Sequence, residues 1–318
     1  MNIDTLVLNG GGIICCTYLG CIKYLFEHKY IPNDLSTIKQ IYCVSGGMIY
    51  ILPLLFGLSL NMTIEFFLKL DNTKIAPPES ISIHSLLEDY GIFDNSFFKK
   101  TSTHIMKHLQ IDPELTLSGL YKLKPIELIV KVLNVTQMKD EYISYKNYPD
   151  MKVTDLLQMT TSIPFFFKSF RYKKEIYVDG GTSGSISSRN IESSNYLSMN
   201  TSFTNKKMDN LFEYIPKVLS LLTDLDKQPI KRELFFKHPK FSMIDFNIGF
   251  KGKQELIHIG YQTTMKHFKD LDTIPEVYPN HKQHQIYNES SKKLISHKWK
   301  SISYHYLLYN NHREKDNS

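Results

Sequence analysis

Two glycine-containing turns near the start of the chain constrain its fold most strongly. The first consists of Gly10, Gly11 and Gly12 after the apolar segment Thr5–Leu8, and the second begins at Ser45 after the apolar segment 38–44. After each turn apolar residues recur at helical spacing, so the sequence predicts strand, turn, helix, strand, turn, helix. Such alternation is typical of a parallel sheet covered on both faces. We therefore expect an α/β fold with three α/β/α layers and a mostly parallel central sheet.

The alternation continues to about residue 268. Further helices are predicted over residues 61–70, 93–109, 153–159, 211–225 and 254–268. Further strands are predicted over residues 126–135, 142–145, 175–178 and 241–248. The remaining segments are interpreted as a cap over the site (71–93), an aromatic loop (161–167) and a surface loop (182–195). We expect one domain over residues 1–270, followed by a basic tail, rich in His, Lys and Tyr, over residues 271–318.

The composition is that of a globular protein. The chain has 318 residues, of which 42% are hydrophobic and 22% charged, enough to bury a sizeable core. The net charge of +6 suits an anionic membrane surface, although it is also common in soluble enzymes, and no nucleic-acid partner is expected. Alanine occurs once, at Ala76, while Ile, Asn, Lys and Tyr are abundant, which indicates an AT-rich genome such as that of a large DNA virus.

Two uncharged segments are not expected to act as membrane signals. Residues 5–22 lack a basic n-region and contain three glycines, which argues against a signal peptide. Residues 40–64 are long enough to span a bilayer, but Gly46, Gly47 and Pro53 favour a buried strand, turn and helix. The cysteines have neither a disulfide-like nor a zinc-like spacing: Cys15, Cys16, Cys21 and Cys43. We expect an intracellular protein, cytoplasmic or peripheral to a membrane, without a metal.

Ser45 lies where a serine hydroxyl could be exposed at the edge of the sheet. The run from Cys43 through Ser45 to Gly46 and Gly47 nearly matches G-x-S-x-G, the sharp strand-to-helix turn that presents a nucleophile. Cys43 replaces the first glycine of that pattern. The following helix would direct its positive end at the site and favour developing negative charge.

The triple-glycine turn could bind an anion through bare backbone N–H groups. For an oxyanion, each such donor contributes about 2.7–4 kcal/mol of transition-state stabilisation. A nucleotide phosphate is the alternative, but the G-x-G-x-x-G fingerprint would require glycine at Cys15, and a Walker loop is absent from the sequence. The turn therefore favours acyl transfer over nucleotide binding.

Asp179 is the candidate base. It follows a predicted strand and precedes Gly180 and Gly181. An Asp-Gly pair is also common in ordinary turns. As a base, Asp179 would accept the proton of Ser45 during attack. A Ser-His-Asp triad through His258 or His267 is the alternative, although both are interpreted as surface or helix-face histidines.

These three motifs, in this order, strongly resemble those of the patatin-like phospholipases. The resemblance spans roughly residues 5–268 and includes several further segments. They are Leu6 to Asn9, Tyr18 to Gly20, Gly57 to Ser59, Tyr90 to Asp94, Leu115-Thr116, and Thr161 to Pro164 with Phe166 and Phe167.

The resemblance implies a phospholipase A-type acyl hydrolase acting through a Ser-Asp dyad and an acyl-serine intermediate. Ser45 would be the nucleophile and Asp179 the base, and no cofactor or metal is implied. The implied oxyanion hole is formed by the backbone N–H groups of Gly10, Gly11, Gly12 and Ile13. The implied substrate is an ester lipid, mainly phospholipid.

Besides Cys43, three positions depart from the family pattern. Ile14 and Cys15 stand where the family has Lys or Arg followed by Gly, and Ser185 stands where it often has Asn. A catalytically weak or inactive lipid-binding relative is therefore one alternative, and a Ser-His-Asp esterase is another.

Three groups of residues have two interpretations each. An acyl channel or a packed core could be formed by Phe165, Phe166, Phe167 and Phe170. Phosphate headgroups or only solvent could be met by Lys168, Arg171, Lys173 and Lys174. An interfacial patch or a solvated tail could be formed by Lys292, Lys293, Lys298, Trp299 and Lys300.

Overall fold

A mostly parallel sheet is the central feature of the computed structural model, which describes residues 2–202, 232–238 and 240–271. The strands are β1 (Thr5–Leu8), β2 (Gln40–Cys43), β3 (Gly91–Phe93), β4 (Glu127–Asn134), β5 (Lys139–Ile143), β6 (Phe165–Phe167), β7 (Phe170–Tyr172), β8 (Glu175–Asp179), β9 (Tyr196–Ser202) and β10 (Glu233–Lys237). The helices are α1 (Thr17–Glu27), α2 (Gly46–Leu55), α3 (Leu60–Lys69), α4 (Ile83–Glu88), α5 (Ser96–His108), α6 (Leu117–Leu123), α7 (Val153–Thr160) and α8 (Phe250–Leu271). Short 3₁₀ turns occupy Gly12–Cys16, Asn72–Ile75, Pro78–Ser80, Gly180–Ser183 and Ser188–Asn190.

The main sheet has the strand order β10-β9-β1-β2-β4-β8-β7, and β5 also pairs with β4. The first five strands run parallel, whereas β5, β8 and β7 are antiparallel to their neighbours. A second, two-stranded parallel sheet joins β3 and β6. The predicted α/β fold with a mostly parallel central sheet is confirmed.

The register around β4 positions the site. Cys43 of β2 pairs with Val130 and Asp179 of β8 pairs with Val132. Because β5 pairs with both Val130 and Val132 from the opposite side, β2 and β8 lie on the same side of β4. The carboxyl ends of β2 and β8 therefore meet along one side of β4.

The burial of β1 is that of a central strand in a parallel sheet. Every residue of β1 is buried, as expected for a strand covered on both faces. On one face Val7, Tyr42 and Ile129 form a cluster with Ile186 and Ile191, which lie in the predicted surface loop. The loop 182–195 thus contributes apolar side chains to the core.

Most predicted elements are found, with shifts of a few residues at their ends. The strand Thr5–Leu8 and those over 126–135 and 175–178 are confirmed as β1, β4 and β8. The helices over 61–70, 93–109, 153–159 and 254–268 are confirmed as α3, α5, α7 and α8. The helix predicted over 211–225 and the tail from residue 272 lie outside the described residues, and the domain boundary stays a prediction.

Two predictions were wrong. Residues 241–248 form turns rather than a strand, closed by Asp245 N–H to Ser242 C=O and Ile248 N–H to Asp245 C=O. Ser and Asp favour turns, and here that preference prevailed over the alternating pattern. The segment 161–167 is not wholly loop, because Phe165–Phe167 pairs with β3.

The uncharged segment 40–64 contains β2, α2 and the start of α3. Among the described helices, none combines the length and apolarity needed to cross a bilayer. All four cysteines are buried free thiols.

Candidate active site

Ser45 occupies a strained turn between β2 and α2. Its backbone angles are φ 53° and ψ −128°, an unfavourable conformation for a residue with a side chain. Its N–H donates to the Thr160 hydroxyl at 2.9 Å, and that hydroxyl donates to the Lys131 carbonyl at 3.1 Å. Through these bonds α7 and β4 hold the turn. The sequence interpretation missed Thr160, which has no distinguishing local pattern.

Gly46 and Gly47 are required by the close approach of backbones. A Cβ atom on Gly47 would lie 2.2 Å from the Leu8 carbonyl oxygen, and one on Gly46 would lie 2.5 Å from that of Gly12. Both separations are too short for any side chain. Cys43, where G-x-S-x-G has its first glycine, is fully buried, so the turn is formed with a thiol at that position.

Asp179 lies beside Ser45 at the end of β8. Its carboxylate accepts the Gly181 N–H at 2.7 Å, and the Ser45 hydroxyl is close enough to lower the pKa of this carboxyl. Burial raises the pKa of Asp179 from 3.8 to about 6, while the Ser45 hydroxyl, the Gly181 N–H and the charge of Lys131 lower it. The structure thus brings the predicted serine and carboxylate together, and a carboxyl group of this pKa can act as a base near neutral pH.

The two glycines after Asp179 have different structural roles. A Cβ atom on Gly180 would lie 2.4 Å from the Lys131 carbonyl oxygen, so the chain can follow β4 closely only with glycine there. Gly181 contributes the N–H that holds the Asp179 carboxylate.

Lys131 is a buried cation next to this pair, and the sequence interpretation missed its importance. Its side chain is 2% exposed, lies 3.2 Å from the Asp140 carboxylate and donates to the Gly184 carbonyl at 2.9 Å. Asp140 also accepts a hydrogen bond from the Ser183 hydroxyl. Burial lowers the pKa of Lys131, and the negative charges of Asp140 and Asp179 oppose this shift. The sequence feature that could have identified Lys131 is a single lysine within the apolar strand β4.

The triple-glycine turn lies against the serine. A Cβ atom on Gly10 would be 3.3 Å from the Ser45 Cβ atom. The N–H groups of Gly10, Gly11 and Gly12 donate no hydrogen bond to any of the described residues. The Ile13 N–H, by contrast, donates to the Met243 carbonyl at 2.9 Å. Within the described part of the chain, three of the four predicted oxyanion donors thus have no acceptor, whereas the fourth donates to Met243.

An apolar pocket extends from Ser45 along α2. Its wall includes residues of α2 and Phe56 directly after it, residues of α5, Leu157 of α7 and the segment after α7. Of the four candidate channel residues only Phe167 lines it, since Phe166 is buried in an aromatic cluster and Phe165 is 49% exposed.

The alternative residues lie away from the pair. Burial, Ser45, Gly181 and Lys131 account for the pKa shift of Asp179, and no histidine of the described residues contributes. His258 is exposed on α8. The basic residues after the aromatics lie on the strands and turns of β6, β7 and β8, where Lys168 pairs with Asp89 at 3.0 Å.

Known proteins share this sequence pattern and fold. The family model of patatin-like phospholipases matches residues 6–188, which include Ser45 and Asp179. An uncharacterized protein of Acanthamoeba polyphaga mimivirus is 21% identical over 281 residues, covering 82% of this chain and 92% of that protein. A probable lipid hydrolase of Invertebrate iridescent virus 6 is 28% identical over 178 residues, covering 56% of this chain and 59% of that protein. Both relatives are viral, in keeping with the AT-rich composition.

The fold is also found in a solved structure. The crystal structure of VipD from Legionella pneumophila matches with a TM-score of 0.64 at 15% identity, covering 85% of this chain and 67% of that chain.

The pKa of Asp179 predicts a stability effect. Because the folded-state pKa is raised, ionisation of Asp179 costs stability as the pH rises from about 4 to above 6. We expect Asp179→Asn to increase the free energy of unfolding at pH 7 by on the order of 2 kcal/mol, and the gain to shrink towards pH 4. Urea denaturation at both pH values measures this. Asp150→Asn, at an exposed carboxylate, is the control, and a less stable Asp179→Asn protein at pH 7 would contradict the prediction.

Proposed function

The chain belongs to the patatin-like phospholipase family, and on that basis we propose that it hydrolyses fatty acyl esters of phospholipids as a phospholipase A-type enzyme. The observation that carries the proposal is the position of Ser45 beside the buried Asp179 where β2 and β8 meet, with the Ser45 hydroxyl close enough to lower the pKa of that carboxyl. The lipid-hydrolase description of the iridescent virus relative supports the same substrate class.

Attack begins at the Ser45 hydroxyl. The oxygen adds to the ester carbonyl carbon while its proton passes to Asp179, which the family pattern and its position beside Ser45 both favour as base. The resulting oxyanion would accept hydrogen bonds from the open N–H groups of the glycine turn, Gly11 and Gly12 among them. Collapse expels the lysophospholipid alcohol, protonated by Asp179, and leaves an acyl-Ser45 ester. Water, deprotonated by Asp179, then releases the fatty acid and restores the serine.

The Lys131 ammonium acts through Asp179 rather than on the substrate. Its buried charge favours the ionised carboxylate, and its bond to the Gly184 carbonyl ties the loop after the base to β4. We propose that Lys131 is a positioning residue that keeps Asp179 charged at neutral pH.

A lipid surface is the proposed partner. The cap exposes an apolar ridge formed by Ile81, Ile83, Leu87 and Tyr90 together with Phe165, each at least 49% exposed. Ile83 and Leu87 are four residues apart and so share one face of α4. Exposed apolar side chains of this kind favour the boundary between headgroups and acyl chains. The free thiols suit a reducing compartment, so we propose action at an intracellular membrane surface.

The dyad can be tested by labelling and turnover. A fluorophosphonate should label Ser45, and Ser45→Ala and Asp179→Asn should each lower phospholipid hydrolysis at least about a thousandfold, because each removes a group that acts only in the transition state. His258→Ala, on exposed α8, is the control and should leave turnover unchanged. Lipid binding without labelling or turnover would instead indicate an inactive lipid-binding relative.

The role of Lys131 can be tested through the pH profile. The base must be ionised, so kcat/KM should fall as the pH drops through about 6. In Lys131→Met the pKa of Asp179 should rise, and this acid limb should move to higher pH. Lys139→Met, which removes an exposed lysine on β5, should leave the limb in place. An unchanged limb in folded Lys131→Met protein would contradict the role.

The apolar ridge can be tested with vesicles. Ile83→Asp combined with Leu87→Asp should weaken binding to phosphatidylcholine vesicles and lower their hydrolysis about tenfold or more, because a charge disfavours insertion. Hydrolysis of a water-soluble ester should be unchanged. Met138→Asp makes the same kind of change at a 90% exposed methionine in the turn after β4 and is the matched control. Equal vesicle binding of all three proteins would contradict the proposal.

A further inference from the structure

Three residues that line the mostly apolar pocket carry buried polar atoms without a hydrogen-bond partner among the described residues. The atoms are Nδ2 of Asn72, Oγ1 of Thr101 and Oγ of Ser102. The three residues are 4%, 7% and 4% exposed, and all line the pocket that contains Ser45. Their clustering in one cavity points to a ligand.

Their position in the fold places them beyond the aromatic part of the wall. Thr101 and Ser102 lie on α5 one turn after Phe97 and Phe98, about 5–6 Å further along the helix axis. The 3₁₀ turn that begins at Asn72 packs against α5. The polar atoms therefore belong to one region of the pocket, where α5 meets this turn.

The energetic cost of these atoms also points to a ligand. A buried donor or acceptor without a partner costs about 1–3 kcal/mol, and folded proteins rarely leave such groups unpaired. A plain alkyl chain in the pocket would leave all three polar atoms without a hydrogen bond. Val, Ala or Leu at these positions would contact such a chain without that energetic cost. A ligand oxygen at this point would satisfy them.

We propose that the pocket binds an acyl chain that carries an oxygen substituent, foremost a hydroxyl, away from its ester end. The Asn72 amide would donate to that oxygen, and the hydroxyls of Thr101 and Ser102 would accept its proton or donate to it. The proposal rests on the proposed function, because it makes this pocket the acyl site of the hydrolase. It adds a preference for hydroxylated over unsubstituted chains.

Matched esters test the preference. Ricinoleoyl and oleoyl phospholipids differ by one mid-chain hydroxyl, and a series in which the hydroxyl moves along the chain locates its best position. We expect kcat/KM to favour the best hydroxylated chain about tenfold or more. Thr101→Val, Ser102→Ala and Asn72→Leu should each lower that ratio several-fold. Ile105→Val, also in the wall, changes no polar atom and should preserve the ratio.

A binding measurement separates this proposal from the proposed function. Calorimetry of Ser45→Ala protein with ricinoleate and with oleate reports the preference without turnover. If neither ester is cleaved but the hydroxylated acid binds more tightly, the polar site stands and the hydrolase proposal fails. If both esters are cleaved with equal kcat/KM at every hydroxyl position, the polar site is overturned. Variants that gain stability without a change in the ratio would show that the atoms hold only a water, which also overturns it.

Discussion

The burial of one carboxylate is the constraint on which the rest of the site depends. Asp179 is 3% exposed, and burial raises its pKa to about 6. Such a group is ionised at neutral pH yet more basic than a solvated carboxylate. Because burial also destabilises the ionised form, the fold supplies compensating groups around it, namely the Ser45 hydroxyl, the Gly181 N–H and the Lys131 charge. The strength of the candidate base results from this balance.

Strand register brings the serine and the carboxylate together across 134 positions of sequence. Cys43 pairs with Val130 and Asp179 pairs with Val132 on the same side of β4, because β5 occupies the other side at both positions. The two strands run towards each other along that side, so the turn after Cys43 brings Ser45 beside the end of β8. An antiparallel strand normally ends at the opposite edge of a sheet. Because β8 pairs only with the last three residues of β4, it ends at this edge instead.

Residues with a distinctive local pattern could be predicted from the sequence, whereas those defined by distant neighbours could not. The glycine turns, Ser45 and Asp179 were identified because small residues at strand ends are informative by themselves. The strand β9, which pairs with β1, was missed because buried polar residues interrupt its apolar pattern: Ser198, Asn200 and Thr201. Lys131 and Thr160 contact partners that are distant in the sequence, so the local sequence does not reveal those contacts. The hydrogen bond that occupies the Ile13 N–H could not be predicted either, because it uses only the backbone carbonyl of Met243.

The helix α2 shows why core and pocket cannot be varied independently. It is apolar on all sides because one side packs in the core while residues from Gly46 to Phe56 line the pocket. This dual role explains an uncharged segment that would otherwise be interpreted as membrane-spanning. It also means that widening the pocket from α2 removes buried apolar contacts, at a cost of about 2–5 kcal/mol for a large aliphatic side chain. If the pocket binds the acyl chain as proposed, the polar positions Thr101 and Ser102 of α5 can be changed with a smaller loss of buried apolar contact.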